Sequence, residues 1–82
     1  MKRIYTKKRP MWRWEYREGH EEAMLCALRD WGVKVRFMGG LAELVTDAGS
    51  LVALPDQFIV FDDDRNLLSV LSFEAFHGMY EE

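Results

Sequence analysis

Apolar and polar positions alternate in "MWRWEYR". Trp12, Trp14 and Tyr16 fall on one side, and Met11, Arg13, Glu15 and Arg17 on the other. Period two marks a half-buried strand. Pro10, which has no N–H to give to a ladder, marks the strand's start or an edge position. The spacing changes in "EGHEEAMLCALRDWG", where Ala23, Met24, Ala27, Leu28 and Trp31 recur at helical intervals and predict one apolar stripe. Glu21 and Glu22 in the first turn and Arg29 near the last suit the helix dipole. Gly32 predicts the stop. Cys26 falls beside the stripe and reads as a small buried thiol.

Alternation returns in "VKVRFM", with Val33, Val35 and Phe37 expected inward. Gly39-Gly40 predicts a hairpin turn into the return strand "LAELVT". Asp47 to Ser50 predicts the next turn, and the short "LVAL" follows, ending at Pro55. "QFIVF" is apolar nearly throughout, as in a strand covered on both faces. "LLSVL" answers it. Ser72 is placed to cap a last short helix, with Glu74 in its first turn and Phe73, Phe76 and Tyr80 as apolar anchors. The expected order is β-α-β-β-β-β-β-α. It describes a single compact α+β domain over residues 1–82, with a mostly antiparallel sheet of about five to six strands, one main helix and a short C-terminal helix.

Length adds a constraint. A chain of 82 residues has room for one domain, and one of this size buries only about 60% of its unfolded surface. The core must therefore come from large side chains, and three Trp, three Tyr and five Phe supply them. A single cysteine excludes an internal disulfide and suggests a reducing compartment. No apolar run approaches the roughly 20 residues that span a bilayer, and the basic start is not followed by a signal-peptide core. The sequence expectation is a cytoplasmic protein. Its net charge of −3 conceals an asymmetry. Residues 1–17 hold Lys2, Arg3, Lys7, Lys8, Arg9, Arg13 and Arg17 against Glu15 alone, while all the other acids lie beyond. A basic arm of this kind can bind an anionic partner or fold back on its own acidic body.

Between "QFIVF" and "LLSVL" stand Asp62, Asp63 and Asp64. An EF-hand calcium loop starting at Asp62 would need Gly at its sixth position and Glu at its twelfth. Leu67 and Phe73 stand there instead, between strand-like runs rather than helices. The residues fit a hairpin turn: Asp and Asn accept backbone donors in turns, Asn66 tolerates a positive φ, and mutual repulsion is expected to hold the three carboxylates in solvent. Such a loop can still meet a basic protein surface. Asp62, Asp63 and Asp64, with Asp56, are the candidate partner-binding residues.

Other chemistry is sparse. The chain lacks a phosphate-cradling loop of the Gly-rich, Lys-Ser type. Cys26, His20 and His77 are far apart in sequence, unlike the clustered ligands of a zinc site. His20 is expected at a helix start and His77 on an exposed helix face. No catalytic residue, cofactor or metal is assigned, and a non-enzymatic role is expected. Aromatics interleaved with bases from Tyr5 to Arg17 can stack on nucleobases and neutralise phosphates. A nucleic-acid-binding module using Lys7, Lys8, Arg9 and Arg13 is therefore the alternative to partner binding.

The chain resembles a class of small phage and prophage proteins of uncharacterised function. Their pattern opens with a basic "Y-[RK]-K-[KR]-P" and a strand of "VVVEAVQW" type, and closes with "PGDYII", a glycine-containing turn and "F-x-x-x-Y-E". The corresponding segments are "YTKKRPMWRWEY", Tyr5 to Tyr16; "PDQFIV", Pro55 to Val60; and "FHGMYE", Phe76 to Glu81. Asp56-Gln57 replaces the Gly-Asp of the class, Asn66 replaces the later glycine, and Trp12-Arg13-Trp14 replaces the valines. The resemblance implies a phage-related source and a fold, and supplies no catalytic residues to carry over. A small, rigid, acidic phage protein can occupy a nucleic-acid groove on a host protein through charge complementarity, as anti-CRISPR proteins often do. The expectation is therefore a phage or prophage accessory protein that binds a host protein and blocks it, with a defence complex as the leading target type. A virion-associated structural role is the further alternative.

Overall fold

The computed structural model describes residues 1–4 and 11–80. The described residues form a compact single α+β domain of seven antiparallel strands in two sheets with two helices. The strands are β1 (Lys2–Ile4), β2 (Met11–Glu15), β3 (Lys34–Met38), β4 (Leu41–Thr46), β5 (Gly49–Ala53), β6 (Phe58–Phe61) and β7 (Leu67–Leu71). Helix α1 (Glu21–Arg29) follows β2, and α2 (Phe73–Met79) closes the order β-β-α-β-β-β-β-β-α. The four-stranded sheet runs β1-β2-β6-β7 and the three-stranded sheet β3-β4-β5.

This corrects the expected single sheet. One strand more than anticipated is present, the three-residue β1. Only Ile4 of it is buried, so it offers no alternation to read. The other departure is the break between β5 and β6. Pro55 and Asp56 form a tight turn closed by Gln57 N–H to Leu54 C=O at 3.1 Å, and Asp56 has φ 72°. Pro at the second position and a positive φ at the third are the marks of a type II turn. The turn is tied to the end of β2 by Tyr16 N–H to Gln57 C=O at 2.9 Å and Asp56 N–H to Tyr16 C=O at 2.7 Å. These bonds carry the chain out of one sheet and into the other.

Strand β6 is buried at all four positions, as its continuous apolar sequence predicts. Its alternate side chains serve two cores. Ile59 and Phe61 join Tyr16, Met24, Leu28, Val33, Ala42, Leu44 and Ala53, which fill the space between the two sheets and α1. Phe58 and Val60 join Ile4 and Phe76 under α2. Trp12 and Trp14 pack against the first core, as the alternation of β2 requires. The opposite face of β2 is not simply solvated, because Met11 packs against the second core.

Helix α1 buries Met24 and Leu28, and Trp31 closes over the same core. Ala23 is exposed, which narrows the expected stripe. Cys26 is also exposed, against the expectation of a buried thiol. The line through Met24 and Leu28 meets the core and Ala27 is half-buried beside it, while Ala23, Leu25 and Cys26 stay exposed. Phe37, expected inward, is more than a third exposed at the rim, where its ring lies 6.1 Å from that of Tyr16. Gly39-Gly40 makes the expected two-residue hairpin, with φ 55° and 84°. Positive φ at both central positions defines a type I′ turn. Ser72 caps α2, its Oγ accepting from Ala75 N–H at 3.2 Å. Phe76 stacks on Phe58 with centroids 4.1 Å apart and planes 2° off parallel, while Phe73 stays half exposed. No helix among the described residues is long and apolar enough to cross a membrane.

Replacing Phe76 by Ala should cost about 3–5 kcal/mol, by lost burial and a cavity under α2. Cys26→Ser should stay within about 0.5 kcal/mol, as an exposed substitution does. Urea unfolding followed by circular dichroism measures both.

Candidate functional site

The hairpin between β6 and β7 is built on Asp62. Its Oδ1 accepts from the backbone N–H groups of Asp64 and Asn66, each at 2.9 Å. Asn66 Nδ2 donates to Oδ2 at 3.4 Å. Backbone bonds complete the turn, from Arg65 N–H to Asp62 C=O at 3.1 Å and from Asp62 N–H to Asn66 C=O at 3.0 Å. The arrangement is a type I turn followed by a residue in the left-handed region, a common three-residue hairpin loop. The hairpin reading of the aspartates therefore holds, but Asp62 is only 8% exposed. This corrects the expectation of three solvated carboxylates. A carboxylate can accept several backbone donors at once, and that demand outweighs mutual repulsion here. Asp63 and Asp64 remain exposed.

The positive φ sits at Arg65, at 66°, and not at Asn66 as the sequence suggested. Nothing in an Arg-Asn pair reveals which residue turns left-handed. The tertiary contact decides it, because the Arg65 guanidinium lies over the Trp31 ring, 4.7 Å from its centroid. Trp31 in turn packs against Trp12 at 5.5 Å and Phe61 at 5.2 Å. The loop's cation is thus laid on an aromatic row that belongs to the main core. Sequence reading missed this role for Arg65. Its only signal is one base beside three acids.

Asp56 does not belong with this loop. It precedes β6 while Asp62 follows it, so the strand separates them. The four candidate partner-binding residues divide into an exposed pair at one end, Asp63 and Asp64, a structural carboxylate, Asp62, and a turn residue at the other end, Asp56. Among the described residues no cluster of three or more His, Cys, Asp or Glu side chains is arranged to hold a metal ion.

For the nucleic-acid alternative, Lys7, Lys8 and Arg9 lie outside the described residues. Arg13 is half-buried on β2, its guanidinium 5.4 Å from the centroid of Phe58. The strand register orders the described ends of these strands. Ile4 pairs with Met11, and Trp12 pairs with Phe61. The end of β1, the start of β2 and the Asp62–Asn66 loop therefore lie at the same end of the four-stranded sheet.

At the opposite end, His20 is the N-cap of α1, without a side-chain capping bond. Arg17 Nη2 donates to Glu15 Oε1 at 3.1 Å. Hydrogen bonding and charge from Glu15, with a smaller contribution from Asp56, raise the Arg17 pKa further above its ordinary value. Burial first, then the charges of Glu21 and Glu18, pushes the Tyr16 phenol up.

Asp62→Ala should destabilise the protein by about 1–3 kcal/mol, since the backbone N–H groups of Asp64 and Asn66 lose a charged acceptor. Asp63→Ala and Asp64→Ala should each stay within about 0.5 kcal/mol. Thermal melts of the three variants separate the structural aspartate from the exposed pair. The Tyr16 shift predicts an alkaline effect. Because the folded protein keeps this proton to higher pH than the unfolded chain, the contribution is complete below about pH 10, the ordinary tyrosine value. It is lost as pH rises through the raised folded value. Tyr16→Phe should flatten the alkaline limb of a stability–pH profile, and an unchanged limb would assign that limb to other groups.

A scan against protein-family models, a search of curated proteins and a search of solved structures each gave no match.

Proposed function

We propose that this protein acts by binding another protein, with the tip of the β6–β7 hairpin as its contact. The observation that supports this reading is the hold of Asp62 on the loop, through the backbone of Asp64 and Asn66. That hold presents Asp63 and Asp64 as a preformed anionic pair. A preordered loop avoids much of the entropy cost of binding, and exposed charge accelerates encounter with a surface of opposite sign. Arg65 is engaged by Trp31, so the loop's own cation is occupied. The fitting partner has a basic surface, such as a nucleic-acid groove on a host protein. Charge complementarity with such a groove favours inhibition by occupancy, with a host defence complex as the leading target type.

The test begins with capture of a partner from host lysate, followed by binding kinetics at two salt concentrations. The Asp63→Asn, Asp64→Asn double variant leaves Asp62 and the turn in place. Its association rate should fall by roughly tenfold or more at low salt and lose most of its salt dependence. The Lys7→Glu, Lys8→Glu, Arg9→Glu variant should bind as the wild type does. Loss of binding in the basic variant alone, with nucleic acid as the captured species, would replace this reading with the nucleic-acid one. Unchanged rates in the double variant would move the contact off the hairpin.

A further inference from the structure

Four strands are outermost in their sheets, β1 and β7 in one, β3 and β5 in the other. An outermost strand presents a row of backbone N–H and C=O groups that can pair with another chain, and charged side chains are a common protection. Lys2 and Arg3 stand on β1, and Lys34 and Arg36 on β3. Strands β5 and β7, reading GSLVA and LLSVL, carry neither charge nor proline. These two unprotected strands lie beside each other where the sheets approach. Among the described residues no backbone hydrogen bond joins them.

A cleft of about 250 Å³ opens between the first residues of both strands. Leu67 and Leu68 line one side, and Ala48 and Leu51 the other. None of the described lining residues is charged. Leu51 and Leu68 are each more than a third exposed. The volume lies below the roughly 300–1,000 Å³ of pockets for drug-sized ligands and suits one or two side chains. Because the cleft joins the starts of β5 and β7, the β4–β5 turn and the β6–β7 hairpin flank it. Asp47 stands in that turn, next to Ala48, and Asp63 and Asp64 stand in the hairpin; all three are exposed. Arg65, the base of the hairpin, is engaged by Trp31. An apolar slot between two open strand edges is thus rimmed by carboxylates from both sheets.

We propose that this cleft seats an extended segment of a partner protein, in which an aliphatic side chain has lysine or arginine close to it in sequence. The aliphatic side chain enters between Leu51 and Leu68, and the bases meet Asp47 on one side and Asp63 and Asp64 on the other. Extended backbone is the form that can use an open strand edge, with main-chain bonds giving affinity and side-chain pockets giving specificity. The charge of the rim selects bases beside the apolar anchor. The proposal rests on the hairpin contact put forward above and adds to it Asp47, Leu51 and Leu68.

The experiment is titration with a capped peptide, Lys-Lys-Val-Leu-Val-Lys-Lys, followed by the backbone amide resonances of the protein. Saturable shifts should centre on the starts of β5 and β7 and on the two turns beside them. A second peptide with Ser-Gly-Ser at its centre keeps the charge and should bind roughly tenfold more weakly or worse, having lost its apolar anchor. Leu68→Ser should weaken the first peptide by roughly tenfold for the same reason. Asp47→Asn should weaken it by roughly threefold, the scale of one exposed ion pair. Glu74→Gln, an exposed acid on α2, should change nothing. Thermal melts show that each variant keeps the fold. Equal affinity for the two peptides overturns the cleft. So does loss in the Asp63→Asn, Asp64→Asn protein with none in the Leu68→Ser and Asp47→Asn proteins, which leaves the hairpin contact standing by charge alone. Loss in Leu68→Ser and Asp47→Asn with none in the double variant overturns the hairpin reading and the proposal built on it. Shifts that do not saturate overturn the proposal as well.

Discussion

The fold depends on the burial of β6 from both sides. Four consecutive apolar residues in an extended strand point alternately to opposite faces, so each face of the sheet must be covered. Ile59 and Phe61 are covered by α1 and the three-stranded sheet, and Phe58 and Val60 by α2. The seven-residue α2 is too short to be stable alone. It persists because Phe76 closes over Phe58 and Ser72 caps its start. In so small a domain the loss of either cover would leave β6 half in water.

Both ends of β6 are turns that place a non-glycine residue in the left-handed region, Asp56 before it and Arg65 after it. Each such residue is strained relative to glycine, and each is held by bonds that outweigh the strain. Asp56 is fixed by its N–H to Tyr16, and Arg65 by its N–H to Asp62 and by the Trp31 ring. The turns set the exit directions of β6, and thereby fix where the acidic hairpin and the link to the three-stranded sheet emerge. Fold and candidate contact are thus coupled through the same residues. Asp62 serves the turn so that Asp63 and Asp64 can serve the surface.

Charge is distributed along the axis of the four-stranded sheet. The acidic hairpin lies at one end, while Lys2, Arg13, Glu15 and Arg17 line a cleft toward the other. Antiparallel pairing of β1 with β2 places Lys2 beside Arg13 although eleven positions separate them. The three-stranded sheet leaves the side chains of Met38, Leu51 and Val52 exposed.

The local pattern alone was enough to place the α+β class, α1 with its end at Gly32, the Gly39-Gly40 hairpin, the double burial of β6 and the cap at Ser72. These features rest on period, backbone freedom or a short-range hydrogen bond, all of which nearby residues dictate. The division into two sheets was not legible, because it depends on bonds between Tyr16 and the Pro55–Gln57 turn some forty positions away. The exposure of Cys26 and Ala23 depends on how narrow a line of α1 meets the core, which helical spacing does not specify. The interior role of Asp62 and the left-handed turn at Arg65 were likewise decided in three dimensions. A carboxylate chooses between water and backbone donors, and an arginine between solvent and an aromatic ring, only when the chain has brought those partners within reach.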